Sequence, residues 1–389
     1  MLASPGAAEA ASPRTCPDAS SWCTVKWAAK RTGLWAGTAI DDDMPADQLS
    51  DTLKHYNAFT TENAFKWSVI EPARGVPNWT RADALVAFAS ANRLRLRAHT
   101  LFWHRMQTPG WVKQDVAAAA DPAAKMRELI AAHVNKVVGR YRGRVQVWDV
   151  ANEPLALFGS GWDLADGVLT PANFFHTTLG EQYLDLAFKT ARAADPKAKL
   201  FLNEIVWNPA RGDAKSESLL ALVKRLKARK VPIDGVGLQM HAMLGAKEPM
   251  FSGSATKLAA YIDALGKAGV KVEVTELDVS LPQVRSAYGS LASTREKALS
   301  LQAGIYRRVV EPCAKSKYCT GVTVWGLRDP DSWLDTFGVT SSLAPHEPLP
   351  LDATGERKPA YRALRDGILT RCTRTTARRN PCSTPWPAS

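Results

Sequence analysis

Two glutamates close short β-rich runs. Glu153 ends V-Q-V-W-D-V-A-N-E-P (Val145–Pro154), and Glu276 ends K-V-E-V-T-E (Lys271–Glu276). Paired carboxyls can divide acid and base work when their surroundings separate their pKa values. At about 5–5.5 Å apart, such a pair suits double displacement at a sugar carbon, one as nucleophile and the other as acid, then base. A lone strand-end glutamate would ordinarily face solvent, so the argument rests on the company these two keep. Other β-rich runs end in Glu62, Asn63 and Lys66, followed by Trp67; in His99, Trp103 and His104; in Asn152; and in Asn203 and Glu204. Gln239 and His241, Asp278, and Trp325, Asp329 and Trp333 complete the set. Tryptophans offer flat apolar faces to sugar rings, amides and Lys66 offer donors to hydroxyls, and His241 with Asp278 can orient Glu276. These types describe a polar, aromatic-lined cleft for a neutral carbohydrate. No C-x-x-C motif and no zinc-spaced histidine pair is present, so neither metal nor cofactor is expected.

Eight expected strands carry these residues: Leu34–Ile40, His55–Thr61, Leu94–Leu101, Val145–Ala151, Lys199–Asn203, Gly235–Gln239, Val270–Thr275 and Gly321–Trp325. Amphipathic stretches separate them. Lys125–Val138 puts Met126, Leu129, Ile130, Val134, Val137 and Val138 on one face, and Tyr183–Ala191 and Ser218–Leu226 repeat the pattern. The alternation predicts an α/β fold, a (β/α)8 TIM barrel whose strand C-termini form the site rim. A doubly wound open sheet would alternate similarly, but the chain has neither G-x-G-x-x-G nor G-x-x-x-x-G-K. Arg97 has the parity of His99 and points into the barrel, where it needs a carboxylate; it reads as a structural ion pair. Glu204 is open between supporting the site and touching substrate.

The chain has 389 residues and a formal net charge of +12. The basic cluster Lys224–Lys230 has helical spacing and reads as a solvated face, so no nucleic-acid partner is expected. No apolar run approaches the roughly 20 residues that cross a bilayer, and no membrane partner is expected. Six cysteines (Cys16, Cys23, Cys313, Cys319, Cys372, Cys382) fall into three sequence-local pairs, which suggests three disulfides and an oxidising compartment. No export signal is visible; either one has been removed or the protein is cytoplasmic, and the cysteines favour a secreted or periplasmic protein. Residues 1–15 read as a disordered leader or linker, 16–370 as the catalytic barrel, and 371–389 as a basic Pro/Ser/Thr-rich tail that a Cys372–Cys382 bridge could clip. Asn78-Trp79-Thr80 is a glycosylation sequon for a eukaryotic secretory host. A monomer is expected.

Together the motifs resemble glycoside hydrolase family 10, the endo-1,4-β-xylanases. The matching segments are T-T-E-N-A-F-K-W from Thr60, I-E-P-A-R-G from Ile70, H-T-L-F-W-H from His99, W-D-V-A-N-E from Trp148, G-V-G-L-Q-M-H from Gly235, T-E-L-D from Thr275, V-T-V-W-G from Val322, D-S-W at Asp331–Trp333 and K-P-A-Y from Lys358. Their order agrees with the family from about Leu34 to Leu364. The resemblance implies a retaining endo-1,4-β-xylanase acting on xylan or xylo-oligosaccharides, with Glu276 as nucleophile and Glu153 as acid/base. It implies that Glu62, Asn63 and Lys66 hold the distal glycone sugar. His99, Trp103, Asn152, Gln239, His241, Trp325 and Trp333 would surround the sugar at the cleavage point, Asn152 reaching its 2-hydroxyl and Asp278 supporting His241. It also implies a Cys313–Cys319 disulfide, found in some members. Three places depart from the family pattern. W-H-R-M-Q-T-P-G-W is one residue longer, which alters the place of Gln107; Asn203-Glu204-Ile205 stands where Asn-Asp-Tyr is usual, leaving Trp207 as the alternative leaving-group platform; and Pro154 follows Glu153 where Ala is common. A relative acting on β-1,4-glucan or decorated xylan, and a non-catalytic carbohydrate-binding protein on the same fold, are the competing readings.

Overall fold

The alternating β-rich and amphipathic stretches form a closed parallel barrel in the computed structural model, which describes residues 21–41, 43–105, 107–155, 173–206, 214–242, 255–336 and 341–374. The strands are β1 (Trp35–Ile40), β2 (Ala58–Thr61), β3 (Arg95–Ala98), β4 (Phe102–Trp103), β5 (Val147–Asn152), β6 (Lys199–Glu204), β7 (Gly235–Leu238), β8 (Lys271–Leu277) and β9 (Cys319–Val324). Every pairing is parallel. β1 joins both β2 and β9, and β3 joins β5, so the eight-stranded sheet closes on itself. β4 is a two-residue extension of the β3 segment, setting Phe102 and Trp103 beside Ala151 and Asn152. Barrel strands are covered by helices outside and side chains inside, so β2, β5 and β7 are buried along their whole length rather than alternately.

The expected strand at His55–Thr61 starts too early. His55 ends the helix Ala46–His55, and Tyr56 N–H closes that helix on Thr52 O at 3.0 Å. The buried His55 Nδ1 lies 2.7 Å from the Tyr361 hydroxyl of the last helix, Pro359–Leu369, and this tertiary contact overrides local β-propensity. The helix Pro122–Arg140 buries all six apolar residues predicted from its spacing. Asp121 caps it by accepting from Ala124 N–H, and Pro122 sits at its first position. The basic cluster lies mostly on the helix Ala214–Ala228, where Arg225 and the following Arg229 pair with Glu181 and Asp185 of a neighbouring helix.

The barrel interior is charged. Arg97 donates to Asp149 Oδ2 at 3.0 Å and Oδ1 at 2.5 Å and to Glu273 Oε2 at 3.0 Å, and Arg95 grips the same Glu273 at 2.7 and 3.1 Å. Burial disfavours these carboxylates, but Arg97 with His99 outweighs it at Asp149 and Arg95 with Arg97 outweighs it at Glu273, and both are held below the usual range. Arg97 thus has the carboxylate partners its parity required.

Cys313 and Cys319 form a disulfide tying the helix Arg295–Lys315 to the start of β9. Cys23 and Cys372 are also disulfide-bonded. The leader expected at 1–15, Cys16, Cys382 and the tail from 375 lie outside the described residues; 371–374 continue the last helix as a 3-10 turn. Among the described residues, no helix is long and apolar enough to cross a membrane.

Candidate active site

β5 delivers Asn152 and Glu153 to the barrel rim. Successive strand residues face opposite sides, yet both of these side chains meet Gln239: its Nε2 donates to Asn152 Oδ1 at 3.2 Å and to Glu153 Oε1 at 3.1 Å. The turn is made at Glu153, whose φ is +50° and whose N–H is held by Asn203 O at 2.9 Å. Such a φ is uncommon for a residue with a Cβ and recurs at functional sites. The buried Pro154, which disfavours a right-handed helical backbone before it, is compatible with that turn. The other oxygen, Oε2, accepts from Trp103 Nε1 at 3.2 Å and pairs with Arg105 Nε at 3.1 Å.

Glu276 arrives on β8. Its Oε1 accepts from Asn203 Nδ2 at 2.5 Å, and its Oε2 lies 3.0 Å from His241 Nε2. Asn203 Nδ2 also donates to Asn152 Oδ1 at 2.8 Å, while Asn203 Oδ1 accepts from Thr275 Oγ1 at 2.7 Å. A continuous chain of amides, Asn203, Asn152 and Gln239, therefore links the two carboxyls and fixes their relative placement. Glu153 and Glu276 are both buried.

His241 Nδ1 lies 2.7 Å from Asp278 Oδ2, which also accepts from Trp333 Nε1 at 2.9 Å. Burial opposes charge on His241, but Asp278 and Glu276 outweigh it and raise the imidazole to about 10. At neutral pH the ring is an imidazolium donating one N–H to each carboxylate. His99 is oriented by Asp149 at 2.9 Å, and the buried Trp325 meets His99 and His241 edge-on.

At the other side of the rim, Asn63 Nδ2 donates to Asp41 at 2.7 Å, and Lys66 Nζ donates to Asn63 Oδ1 at 2.6 Å while lying 5.1 Å over the Trp103 ring. Burial pushes Lys66 down. Burial and then the Asp41 carboxylate push Glu62 up to about 7. Lys66 is thus buried at the rim rather than left in solvent.

The structure brings the expected site residues to one end of the barrel and assigns several neighbours elsewhere. Glu204 is fully buried: Lys215 pairs with it at 2.8 Å, and it accepts from Leu155 N–H and Ile205 N–H, so it props the backbone after Glu153. Trp67 is core, stacked on His133 at 4.0 Å. Asp329 is tied to Lys358. Gln107 is taken up by Ser68, whose N–H and hydroxyl both bond to it. Trp207 lies outside the described residues. Two groups had been missed. Asp149 was signalled only by the demand of Arg97 for a partner, and Arg105 carried no signal, being one arginine in a loop.

The comparisons point to one family and fold. A model of glycosyl hydrolase family 10 matches residues 24–367. Endo-1,4-beta-xylanase C of Phanerodontia chrysosporium is 34% identical over 355 residues, 90% of this chain and 80% of that protein. The structure of native xylanase 10B from Thermotoga maritima superposes with a TM-score of 0.75 at 26% identity, covering 89% of this chain and 98% of the other. Xylanase 10B from Thermotoga petrophila, solved with xylobiose, gives 0.74 at 25% identity over 89% and 97% of the two chains.

Proposed function

The chain belongs to glycosyl hydrolase family 10, and from that premise we propose that it is a retaining endo-1,4-β-xylanase cutting internal β-1,4-xylosidic bonds, with Glu276 as nucleophile and Glu153 as acid/base. The observation that carries the reading is the unlike housing of two carboxyls joined by one chain of amides. Glu276 accepts from Asn203 and from a charged His241, so both of its oxygens are acceptors, as a nucleophile requires. Glu153 is held on one oxygen by Gln239 and on the other by Trp103 and the partly exposed Arg105. It is the carboxyl that can exchange a proton with an incoming group.

In the first step a Glu276 oxygen bonds to the anomeric carbon while the glycosidic C–O bond breaks, and the Glu153 proton passes to the leaving oxygen. In the second step Glu153 takes a proton from water, the water oxygen bonds to the same carbon, and Glu276 departs. Asn152, fixed by Asn203 and Gln239, is placed to bond the sugar 2-hydroxyl, where hydrogen bonds strengthen in the transition state. Glu62, Asn63 and Lys66 hold the next glycone sugar; Trp103, Trp325 and Trp333 pack against sugar faces. The ligand of the xylobiose-bound relative is consistent with this class of substrate. The Cys313–Cys319 disulfide supports export to an oxidising compartment.

The experiment has two readouts on xylan and xylo-oligosaccharides. Glu276→Ala lowers kcat by roughly 10^4-fold or more, on the scale of losing a covalent nucleophile; a loss under about tenfold sinks its assignment. Proton NMR of the first-formed reducing end shows the β anomer; a first-formed α anomer makes the enzyme inverting. No release of reducing ends from any xylan would leave a binding protein.

A further inference from the structure

Arg105 stands apart from the other polar groups around the two carboxyls. It is about one-third exposed (36%), where Glu153 is buried (9% for its side chain). Its nearest approach to Glu153 is an ion pair at 3.1 Å through Nε, and among the described residues no hydrogen-bond partner takes its two terminal nitrogens. A guanidinium binds carboxylates best through two parallel N–H groups, a pairing this one makes with no described residue.

The contact also engages the carboxyl that the xylanase reading makes the acid/base. Glu153 Oε2 accepts from Trp103 Nε1 and is ion-paired with Arg105 Nε at 3.1 Å, while Oε1 accepts from Gln239 and, at 3.4 Å, from Asn152. Of these four neighbours of the Glu153 carboxyl, Arg105 alone is a cation. Gln239 and Asn152 are buried and locked into the amide chain, and Trp103 Nε1 is set by β4, which pairs with β5. Arg105, partly exposed, is the neighbour that can withdraw.

We infer that Arg105 recognises a carboxylate on the substrate, and that a uronic-acid side group on the xylan backbone draws the guanidinium off Glu153 as it binds, leaving Glu153 to carry its proton to the leaving oxygen. The inference rests on the xylanase reading and names its substrate class: glucuronic-acid-substituted xylan in preference to the uncharged polymer. The exchange is ionic. No bond forms or breaks in it, the guanidinium keeps its charge, and one carboxylate partner replaces another. Because binding and release of the acid are coupled, the effect falls on kcat as well as on KM, whereas a purely adhesive cation would move KM alone.

The test compares glucuronoxylan with the same polymer after methyl esterification of its uronic acids, which keeps size and pattern and removes the charge. The wild-type enzyme is expected to show a kcat/KM about tenfold or more higher on the acid form, the scale of one charge-assisted bidentate contact, with part of the gain in kcat. In Arg105→Ser the acid-to-ester ratio collapses towards one, whatever happens to the absolute rates. Arg105→Lys, which keeps charge without the fork, falls between. A wild-type ratio near one, or a high ratio that survives in Arg105→Ser, overturns the inference. Failure of the xylanase reading looks different: neither polymer, nor unbranched xylotetraose, would be cut.

Discussion

A carboxyl that is both buried and beside another carboxyl resists ionisation, and Glu62 is in that position next to Asp41. Raised to about 7, it is protonated through mildly acidic pH and can donate to a sugar hydroxyl; above pH 7 it only accepts. KM for xylotetraose should therefore rise as pH passes through about 7. Glu62→Gln, which keeps a donor at every pH, should flatten that rise. Its folded pKa also lies above the unfolded value, so the associated stability is fully present below about 4.5 and is lost as pH rises through about 7. The thermal midpoint of Glu62→Gln should exceed that of wild type at pH 8 and match it near pH 4. A KM profile identical in the two proteins would remove Glu62 from the glycone site. Little of this was legible beforehand: T-E-N marked Glu62 as a site residue, but its neighbour Asp41 lies 21 positions earlier on the adjoining strand's end.

At the scale of the element, β7 runs past a full barrel interior. An added Cβ at Gly237 would lie 2.2 Å from Asn203 Oδ1, 2.8 Å from Thr275 Cγ2 and 2.9 Å from an Arg97 nitrogen. Gly237→Ala must displace Asn203, the amide that bonds Glu276 and Asn152 at once. We expect a stability loss of about 1–3 kcal/mol, the usual cost of overpacking, and a kcat loss of roughly 100-fold, as for a misplaced reacting group. A thermal melt with kcat on one preparation separates the two. A lowered midpoint with kcat intact would mean that Asn203 does not position the pair. The elements themselves could be read from periodicity: helices such as Pro122–Arg140 bury the predicted apolar faces. What periodicity could not show was the end of the helix at His55 or the extra β4 pairing, since both depend on contacts with distant residues.

Across the whole molecule three histidines are buried as neutral rings. Burial pulls His55 down to about 4 and His104 and His133 down to about 3. An unfolded chain takes up protons on all three near pH 6.5, whereas the folded chain does not until far lower pH. Their contribution to stability is therefore complete above about pH 6.5 and is lost as pH falls towards 4. Raised carboxyls such as Glu62 and Asp329 pull the other way, so the check is a difference. His133→Phe keeps the ring stacked on Trp67 and should soften the acid-side fall in thermal midpoint relative to wild type. Parallel acid limbs in the two proteins would show that His133 does not contribute.

The sequence by itself determined the barrel, because strand and helix periods are local properties of the chain, and it showed at which strand ends glutamates, amides and tryptophans gather, because residue types are read directly from it. It also singled out Glu153 and Glu276. Only the tertiary structure decided that Asn203 spans the two, that Glu204 is a prop under the backbone after Glu153, that Asp149 anchors His99, and that Arg105 rests on Glu153. Each of those contacts joins residues on different strands or in a loop. Hydrogen bonds and ion pairs act over about 3 Å in space and leave no period along the chain.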